Sequence, residues 1–433
     1  MRMYDIIEKK RDGYVLTAEE INFFINGFST GNIPDYQASA LLMAIYLRGM
    51  TEDEIFNLTG AMIHSGEIFN LSSIPGIKFD KHSTGGVGDK TTLIVAPVAA
   101  ACGVPIVKLS GKGLGHTGGT IDKLNSIPGF NSNLTIDQII SNVRKIGLSI
   151  STQTGNITPA DKKVYALRDV TATSDCIPLI ASSIMSKKIA TGSDVIVLDV
   201  KTGSGALTKS IDDSIKLAKL MVGIGRKFSK KTVAFITEMD NPLGYSIGNS
   251  LEIIEAIETL KGRGPKDLLD ISIVISSKIL ELAGKGNPEH CTDLAVNSIK
   301  NGTALNKFAE LISIQGGNRD VIYDYSLFGE SKLQHEVTSD ATGYISSYNT
   351  KLIGIAAMIL GAGRETEDSL IDNNAGIILK AKVGDFVTKG DTLATFYSDS
   401  ENKLIESNSI FKKSILYSSE KPVIKPLIHS FID

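Results

Sequence analysis

The sequence has no tryptophan, and only three of its 433 residues are cysteines. Cys102, Cys176 and Cys291 are odd in number, widely spaced and without a Cys-x-x-Cys pair. This usage argues against a disulfide framework or a zinc site and is typical of a reducing compartment. We therefore expect a cytoplasmic protein.

A surplus of one charge and a long hydrophobic run are also missing. Lysine and arginine total 45 against 48 for aspartate and glutamate, so no overall positive field favours nucleic acid or an anionic membrane. The longest nearly apolar run, residues 93–107, contains two prolines and a glycine, which argues against a membrane-spanning helix. Charged residues among the first ten argue against a secretion signal. We expect no nucleic-acid partner and no membrane partner, and any anion site must be local.

What the sequence does contain is enough apolar material for a folded core. Its residues are 42% apolar and 21% charged, which excludes a mostly disordered chain. A length of 433 residues allows about three domains, at roughly 100 to 200 residues each.

The first 70 residues predict a small all-helical unit. Thr17 with Glu20, and Thr51 with Glu54, each form a Thr-x-x-Glu capping box ahead of an apolar run. A third helix is expected after Pro34, with its apolar residues on one face.

From residue 77 onward, short apolar strands alternate with glycine turns and helical spacing, which predicts a parallel sheet. The expected strands are Ile77–Asp80, Val104–Leu109, Val195–Val200 and Thr232–Ile236. A helical stretch over residues 159–190 interrupts the alternation, and we expect it to pack on the N-terminal helices. The sequence after about residue 331 is strand-rich, with hairpins expected at Gly343–Ile345 and Gly376–Val387.

These patterns predict an α/β fold in three parts: a parallel-sheet domain, a discontinuous all-helical domain and a C-terminal α+β domain. The expected boundaries are 1–70 plus 159–190 for the helical domain, 71–158 plus 191–330 for the α/β domain, and 331–433 for the C-terminal domain. Turns in the last domain resemble those of biotinyl and lipoyl carriers. The Met-Lys-Met tip that carries their prosthetic group is missing, so we expect a structural role and no organic cofactor.

Three glycine-rich turns follow expected strands, at Lys81–Thr92, Ser110–Thr120 and Lys201–Gly205. They fall at the carboxyl ends of the strands, which form the usual ligand edge of a parallel sheet. Glycine amides, hydroxyl side chains and helix N-termini together suit an oxyanion such as phosphate. Tight-turn geometry alone is the alternative explanation.

Three better-known patterns fit these glycines poorly. A P-loop at 85–91 fails because Asp89 stands where that motif needs glycine. The dinucleotide pattern at 113–118 begins well inside its loop and lacks the acidic residue about 20 positions further on. A nucleophile elbow at 244–248 is separated from its strand by Asn241 and Pro242.

Longer segments closely resemble the thymidine and pyrimidine-nucleoside phosphorylases. The matching segments are Lys81–Asp89, Ser110–Leu124, Tyr165–Thr173, Ser183–Lys188 and Lys201–Ala206. The likeness extends over essentially the whole chain and is greatest to the pyrimidine-nucleoside branch.

The resemblance implies a pentosyltransferase of pyrimidine salvage that carries out reversible phosphorolysis. Uridine, thymidine or deoxyuridine plus phosphate would give the free base and the α-anomer of pentose 1-phosphate. The family also implies a homodimer, with the base on the helical domain, phosphate on the α/β domain and an open cleft between them.

The same resemblance assigns site residues. Those implied to bind phosphate are Lys81, Ser83, Thr92, Lys108, Ser110 and Thr120. Those implied to bind the pyrimidine are His82, Arg168, Ser183 and Lys187, of which His82, Arg168 and Lys187 are the expected catalytic residues. Lys108 is also typical of the members that accept several pyrimidine nucleosides, so we expect broad pyrimidine use.

The chemistry needs no protein nucleophile, because phosphate itself attacks the anomeric carbon. Negative charge builds on the departing pyrimidine, where Arg168 and Lys187 are suited to stabilise it. His82, with an ordinary pKa of about 6.5, is suited to donate a hydrogen bond or a proton to the base.

Members of the pyrimidine-nucleoside branch also hold a monovalent cation near the hinge, so the resemblance implies a potassium ion. The matching ligands are the main-chain oxygens of Gly88, Lys90, Leu243 and Ser246 and the side chain of Glu255. Lys90 departs from this pattern, because a cationic side chain would repel the ion unless it points away.

Two other functions stay open. An anthranilate phosphoribosyltransferase-like enzyme would share the architecture, but its acidic magnesium-binding motif is not found in the sequence. A non-catalytic nucleoside-binding protein is disfavoured by the joint presence of Lys81, His82, Arg168 and Lys187.

Overall fold

The structure, a computed structural model, describes residues 1–111, 113, 118–153, 156–364 and 369–433. Its first four helices are α1 (Met3–Arg11), α2 (Ala18–Thr30), α3 (Asp35–Arg48) and α4 (Glu52–Ile63). Both expected capping boxes are present: Thr17 accepts from the Glu20 amide and Thr51 from the Glu54 amide. Helix α3 begins directly after Pro34, as predicted.

The central part of the chain is a parallel sheet with helices around it. Its strands are β1 (Phe79–Ser83), β2 (Ile106–Ser110), β3 (Leu148–Thr152), β4 (Val195–Thr202) and β5 (Lys231–Glu238). The helices between and after them are α5 (Thr92–Ala101), α6 (Thr120–Asn125), α7 (Ile136–Ile146), α8 (Pro159–Val170), α9 (Ile177–Ala190), α10 (Ile211–Lys227), α11 (Asn249–Leu260), α12 (Lys266–Leu282), α13 (Pro288–Lys300) and α14 (Thr303–Ile314). Four of these strands were expected, whereas β3 was missed. Strand β1 extends to Ser83, so the segment predicted as the first glycine turn begins inside the strand.

Helices α8 and α9 pack on the N-terminal helices, against α2 and α4. Buried apolar residues from both parts of the chain, such as Phe24, Leu58, Val164 and Leu179, share one core. The apolar face of the sheet has a separate core that includes Phe79, Ile94, Ile106 and Ile150. The chain therefore leaves the sheet after β3, builds part of the helical unit and returns at β4.

The C-terminal part is strand-rich, as expected. After the short β6 (Ser246–Ile247), its elements are β7 (Leu333–Thr338), β8 (Gly343–Tyr348), α15 (Thr350–Ala357), β9 (Gly376–Leu379), β10 (Phe386–Val387), β11 (Thr392–Ser398), α16 (Glu401–Lys413), β12 (Ile415–Ser418) and β13 (Ile428–Ile432). The expected hairpin within 376–387 does not form, because β9 pairs with β6 and β11 while β10 pairs with β8.

Strand pairing also crosses the expected boundary at residue 331. The central sheet has the order β13-β5-β4-β1-β2-β3, so the last strand lies antiparallel on β5. In the other direction, β6 joins β9, β11 and β7 in the C-terminal sheet. The last strand thus belongs to the α/β sheet, which a boundary drawn from local composition does not reveal. In the described ranges, no helix combines the length and apolarity that a membrane span requires.

Candidate active site

Most of the side chains that are predicted to bind phosphate lie at the carboxyl ends of β1 and β2. Ser83 ends β1 and Ser110 ends β2, while Thr92 begins α5 and Thr120 begins α6. The side chains therefore stand beside two helix N-termini, whose positive dipole ends favour an anion.

A cavity of about 680 Å³ lies between this edge of the sheet and helices α8 and α9. The sequence-predicted residues that line it are His82, Ser83, Thr92, Lys108, Ser110, Thr120 and Lys187. Lys81, Arg168 and Ser183 do not line it. The structure thus brings residues predicted to bind phosphate and residues predicted to bind the pyrimidine to one cavity. Three other predicted residues do not line this cavity.

Lys81 is fully buried beneath the first glycine turn. Its ammonium donates to Thr91 Oγ1 at 2.5 Å and to Asp199 Oδ2 at 3.1 Å, and Lys201 lies 2.9 Å from the same Asp199 oxygen. Burial would raise the pKa of Asp199, but the two lysines lower it. Lys81 thereby supports the turn from below.

Asp89 is a carboxylate at the wall of the anion end of the cavity. Burial alone would raise its pKa, but the ammonium groups of Lys201, Lys81 and Lys123 hold it far below its ordinary value. Asp89 accepts hydrogen bonds from the Ser83 hydroxyl and from Thr91 Oγ1 at 2.8 Å. It is therefore ionised and fixes the hydroxyls of the turn.

A second pair of lysines reaches the cavity from β2 and α9. Lys188 donates to Asp80 Oδ2 at 2.9 Å and to the Leu109 carbonyl at 2.8 Å, and Lys108 lies 3.8 Å from the other Asp80 oxygen. Burial, and then the nearby Lys188 charge, lower the pKa of Lys108 well below its ordinary value. Sequence reasoning left Lys188 unassigned, because its contact with Asp80 joins residues far apart in the chain.

His82 faces the cavity next to these lysines. Burial and the charges of Lys188, Lys108 and Lys81 lower the pKa of His82 well below 6.5. Its Nε2 is buried and has no hydrogen-bond partner among the described residues. The lowered pKa disfavours the imidazolium form, so of the two expected roles the structure favours a hydrogen bond to the base over a proton donated to it. The contact itself stays a prediction.

At the opposite end, Lys187 is held by side chains of α8 and α9. Its ammonium lies 2.5 Å from Asp161 Oδ2 and 3.2 Å from Ser183 Oγ, and 5.5 Å from the centre of the Tyr165 ring. Asp161 and Tyr165 are four residues apart, so they share one face of α8. Sequence reasoning assigned neither residue a role. Their spacing places both on one face of the helix, but only the packing of two helices shows that Lys187 is their partner.

Arg168 is 1% exposed and is committed to the backbone. Its guanidinium donates to the carbonyls of Thr173, Ser174 and Leu179 at 3.2, 2.7 and 3.3 Å. Arg168 thereby stabilises the segment that connects α8 to α9. Its predicted contact with a pyrimidine stays a prediction.

Three of the five groups expected to bind a monovalent cation bond the side chain of Lys90 instead. Its ammonium donates to the carbonyls of Leu243 at 2.9 Å and Ser246 at 2.8 Å, and to Glu255 Oε2 at 2.5 Å. Two unit charges 4 Å apart repel each other by about 4 kcal/mol at an effective dielectric constant of about 20. These residues therefore do not fit a metal cation alongside the lysine.

The second glycine turn is tied to the C-terminal part of the chain. The Gly113 amide donates to Asp122 Oδ2 at 2.6 Å, and Arg364 bonds the Gly113 carbonyl at 3.0 Å and Asp122 Oδ1 at 2.8 Å. Residues 112 and 114–117 of this turn lie outside the described residues. Arg364 had no sequence motif to mark it.

Comparisons with known proteins agree with this architecture. A family model described as the helical bundle domain of the glycosyl transferase family matches residues 4–66, and one described as the a/b domain of that family matches 76–305. A third, the pyrimidine nucleoside phosphorylase C-terminal domain, matches 344–418.

Three similar whole sequences are each named pyrimidine-nucleoside phosphorylase. The protein from Geobacillus stearothermophilus is 54% identical over 93% of both chains, and that from Bacillus subtilis 52% over 93% of both. The protein from Staphylococcus aureus RF122 is 50% identical over the full length of both. A solved anthranilate phosphoribosyltransferase from Thermus thermophilus is similar in fold, with a TM-score of 0.57 and 19% identity over 72% of this chain and 99% of its own.

Proposed function

This chain belongs to the pyrimidine-nucleoside phosphorylase family, and from that premise we propose reversible phosphorolysis of uridine, deoxyuridine and thymidine to the base and the α-anomer of pentose 1-phosphate. One observation supports the proposal above the others. The hydroxyls of the glycine turns and the ammonium of Lys187 line the same cavity, so an anion and a pyrimidine nucleoside can meet there.

We propose that phosphate binds at the carboxyl ends of β1 and β2. Thr92, Ser110 and Thr120 supply hydroxyl donors, and the first turn of α6 supplies amides. The Ser83 hydroxyl donates to Asp89 in the structure, so it binds phosphate only after it turns away from that carboxylate. Lys81 and Lys201 act from beneath by holding Asp199 and Thr91, so the turn is organised before phosphate arrives.

The base of the nucleoside is proposed to bind on the side of the cavity formed by α8 and α9. A phosphate oxygen attacks the anomeric carbon while the bond from that carbon to the pyrimidine nitrogen breaks, and the electron pair of that bond goes to the base. Over the whole reaction, the proton of hydrogen phosphate ends on the base nitrogen. Lys187 stabilises the charge on the departing base, and neutral His82 contributes a hydrogen bond.

The breadth of substrates is proposed from Lys108, which lines the cavity beside Asp80 and Lys188. Comparable turnover of uridine and deoxyuridine supports this, and strict rejection of uridine refutes it. We further propose a cytoplasmic homodimer, on the family resemblance and the three free cysteines, and sedimentation of the purified chain tests the dimer.

Uracil release from uridine, with and without phosphate, tests the function. A phosphorylase releases uracil only with phosphate and forms ribose 1-phosphate in equal amount. Release without phosphate identifies a hydrolase, and uracil binding without any turnover identifies a binding protein. Consumption of anthranilate with phosphoribosyl pyrophosphate would instead reveal the alternative transferase.

A further inference from the structure

Lys90 connects three separate segments from inside the protein. It follows Asp89 at the end of the first glycine turn, and its side chain is completely buried. Its ammonium reaches the Leu243 and Ser246 carbonyls, in the segment after β5, and the Glu255 carboxylate on α11. Three donors thus meet three oxygens, which matches the bonding capacity of an ammonium group.

The surrounding backbone is shaped to hold these oxygens in place. Glu255 Oε1 accepts from the amides of Tyr245 at 2.9 Å and Ser246 at 3.1 Å, which fixes the carboxylate from its other side. Gly244 has φ +71°, and a Cβ there would lie 2.1 Å from Glu255 Oε2 and 3.1 Å from the Lys90 ammonium. Any side chain at this position would therefore disturb the cluster.

These oxygens are the hard, preorganised set that a monovalent cation of ammonium size would use. Leu243, Ser246 and Glu255 were expected to bind potassium, and in the structure each of the three binds the lysine ammonium instead. The Glu255 carboxylate is neutralised by this one tethered charge. The neighbouring acidic residue Asp267 accepts from the Gly244 amide at 3.2 Å and is itself paired with Lys382, so it does not balance a second cation.

We propose that the Lys90 ammonium takes the place of the monovalent cation at this hinge, so that this chain works without potassium. Lys90 is a positioning residue: it anchors the turn that carries Asp89 and Thr92 at the cavity wall to the segment that carries β6 and to α11. A tethered cation cannot dissociate, so the anchorage is independent of the salt composition. The activity readout of this inference rests on the proposed function, whereas its stability readout does not.

The first test compares cations on the intact protein. Phosphorolysis and melting temperature are measured in tetramethylammonium phosphate and again during a potassium titration at constant ionic strength, which keeps screening equal. We expect both to stay unchanged. A rise of either one with potassium, and not with added tetramethylammonium, overturns the proposal.

The second test exposes the oxygens by removing the ammonium. Lys90→Thr shortens the side chain and leaves Leu243, Ser246 and Glu255 in place. We expect this variant to melt at a lower temperature in tetramethylammonium and to regain melting temperature and phosphate affinity with potassium. A variant that folds but ignores potassium shows that the oxygens are no cation site and overturns the proposal.

Lys10→Thr is the matched control, because Lys10 is also buried and paired, at 2.7 Å from Glu54 Oε1, but lies in the helical unit. It should lose stability equally with either cation. Recovery of Lys10→Thr in potassium would show a general salt effect and remove the support from Lys90→Thr. If the intact protein shows no phosphorolysis while the melting temperatures respond to potassium as expected, the proposed function is wrong and the inference about Lys90 is still supported.

Discussion

The ammonium of Lys187 lies 2.5 Å from Asp161 Oδ2, and Asp161 is fully buried on α8 while the Lys187 side chain is 22% exposed. Neither Asp161 oxygen has a hydrogen-bond donor among the described residues apart from this ion pair. The buried carboxylate thus orients a lysine whose charge faces the cavity. This relationship connects the helical unit to the chemistry proposed for the site.

Asp161→Asn should lower turnover of uridine by about tenfold, which corresponds to about 1.4 kcal/mol of transition-state stabilisation. The amide keeps the shape but removes the charge that orients Lys187. Steady-state kinetics should show the loss in kcat with little change in the KM for phosphate. Asp169→Asn, at an exposed position of the same helix, should retain normal kinetics. An unchanged kcat in Asp161→Asn would contradict the positioning role.

Arg168→Ala should lower both turnover and the free energy of unfolding. The substitution leaves three carbonyls without a charged donor, and each such hydrogen bond contributes about 1.5 to 3 kcal/mol. If Arg168 also stabilises the departing base, turnover should fall by a further factor of about 100. Denaturant unfolding and kinetics at low temperature separate the two effects. Normal turnover in the folded variant would assign Arg168 to structure alone.

Protein stability should depend on His82 at acidic pH. Because its pKa is lowered in the folded state, the unfolded chain binds the proton more readily. The free energy of unfolding should therefore fall as the pH decreases below about 6.5, and this contribution should be constant above it. Calorimetry over about pH 5 to 8 should show a steeper acid loss for the wild type than for His82→Gln. Identical pH profiles would argue that His82 is not desolvated.

Gly111→Val should raise the KM for phosphate by about tenfold, or about 1.4 kcal/mol of binding, with little loss of stability. A Cβ at Gly111 would meet no atom of the described residues within 4 Å, and Gly111 lines the cavity, so the added side chain takes up ligand space rather than core space. Gly111→Ala, which adds less volume, should have a smaller effect. Phosphate KM values equal to the wild type in both variants would count against a phosphate site on this turn.

Glu54→Ala should destabilise the helical unit by about 3 to 5 kcal/mol, as is typical when one partner of a buried ion pair is removed. Glu54 is 1% exposed and bonds the Lys10 ammonium and the amides of Leu16 and Thr51. Chemical denaturation measures the loss. Glu52→Ala, exposed in the first turn of the same helix, should change stability far less. A loss of equal size in both would mean that the buried contacts contribute nothing specific.

Local patterns were sufficient for many of the helices and strands, but not for all of them. The capping boxes at Thr17 and Thr51, the start of α3 after Pro34 and four strands of the sheet follow from spacing and residue type. The resemblance motifs then identified residues that line one cavity and are proposed to bind phosphate, because these lie within two short segments next to strand ends. Strand β3 was missed, and the pairing of β9 and β10 was wrong.

What the sequence determined by itself is therefore the alternation of strands and helices, the glycine turns at the sheet edge and the family. Only the tertiary structure decided where long-range partners lie: Lys187 against Asp161, Lys188 against Asp80, Lys90 among the oxygens of Leu243, Ser246 and Glu255, and the last strand on β5. The physical reason is that capping, turn geometry and periodicity act between neighbours in the chain. The charge and pKa of a buried group, in contrast, depend on atoms that packing brings together from distant parts of the chain, and for Lys188 with Asp80 and Lys90 with Leu243 the partners are more than a hundred residues apart.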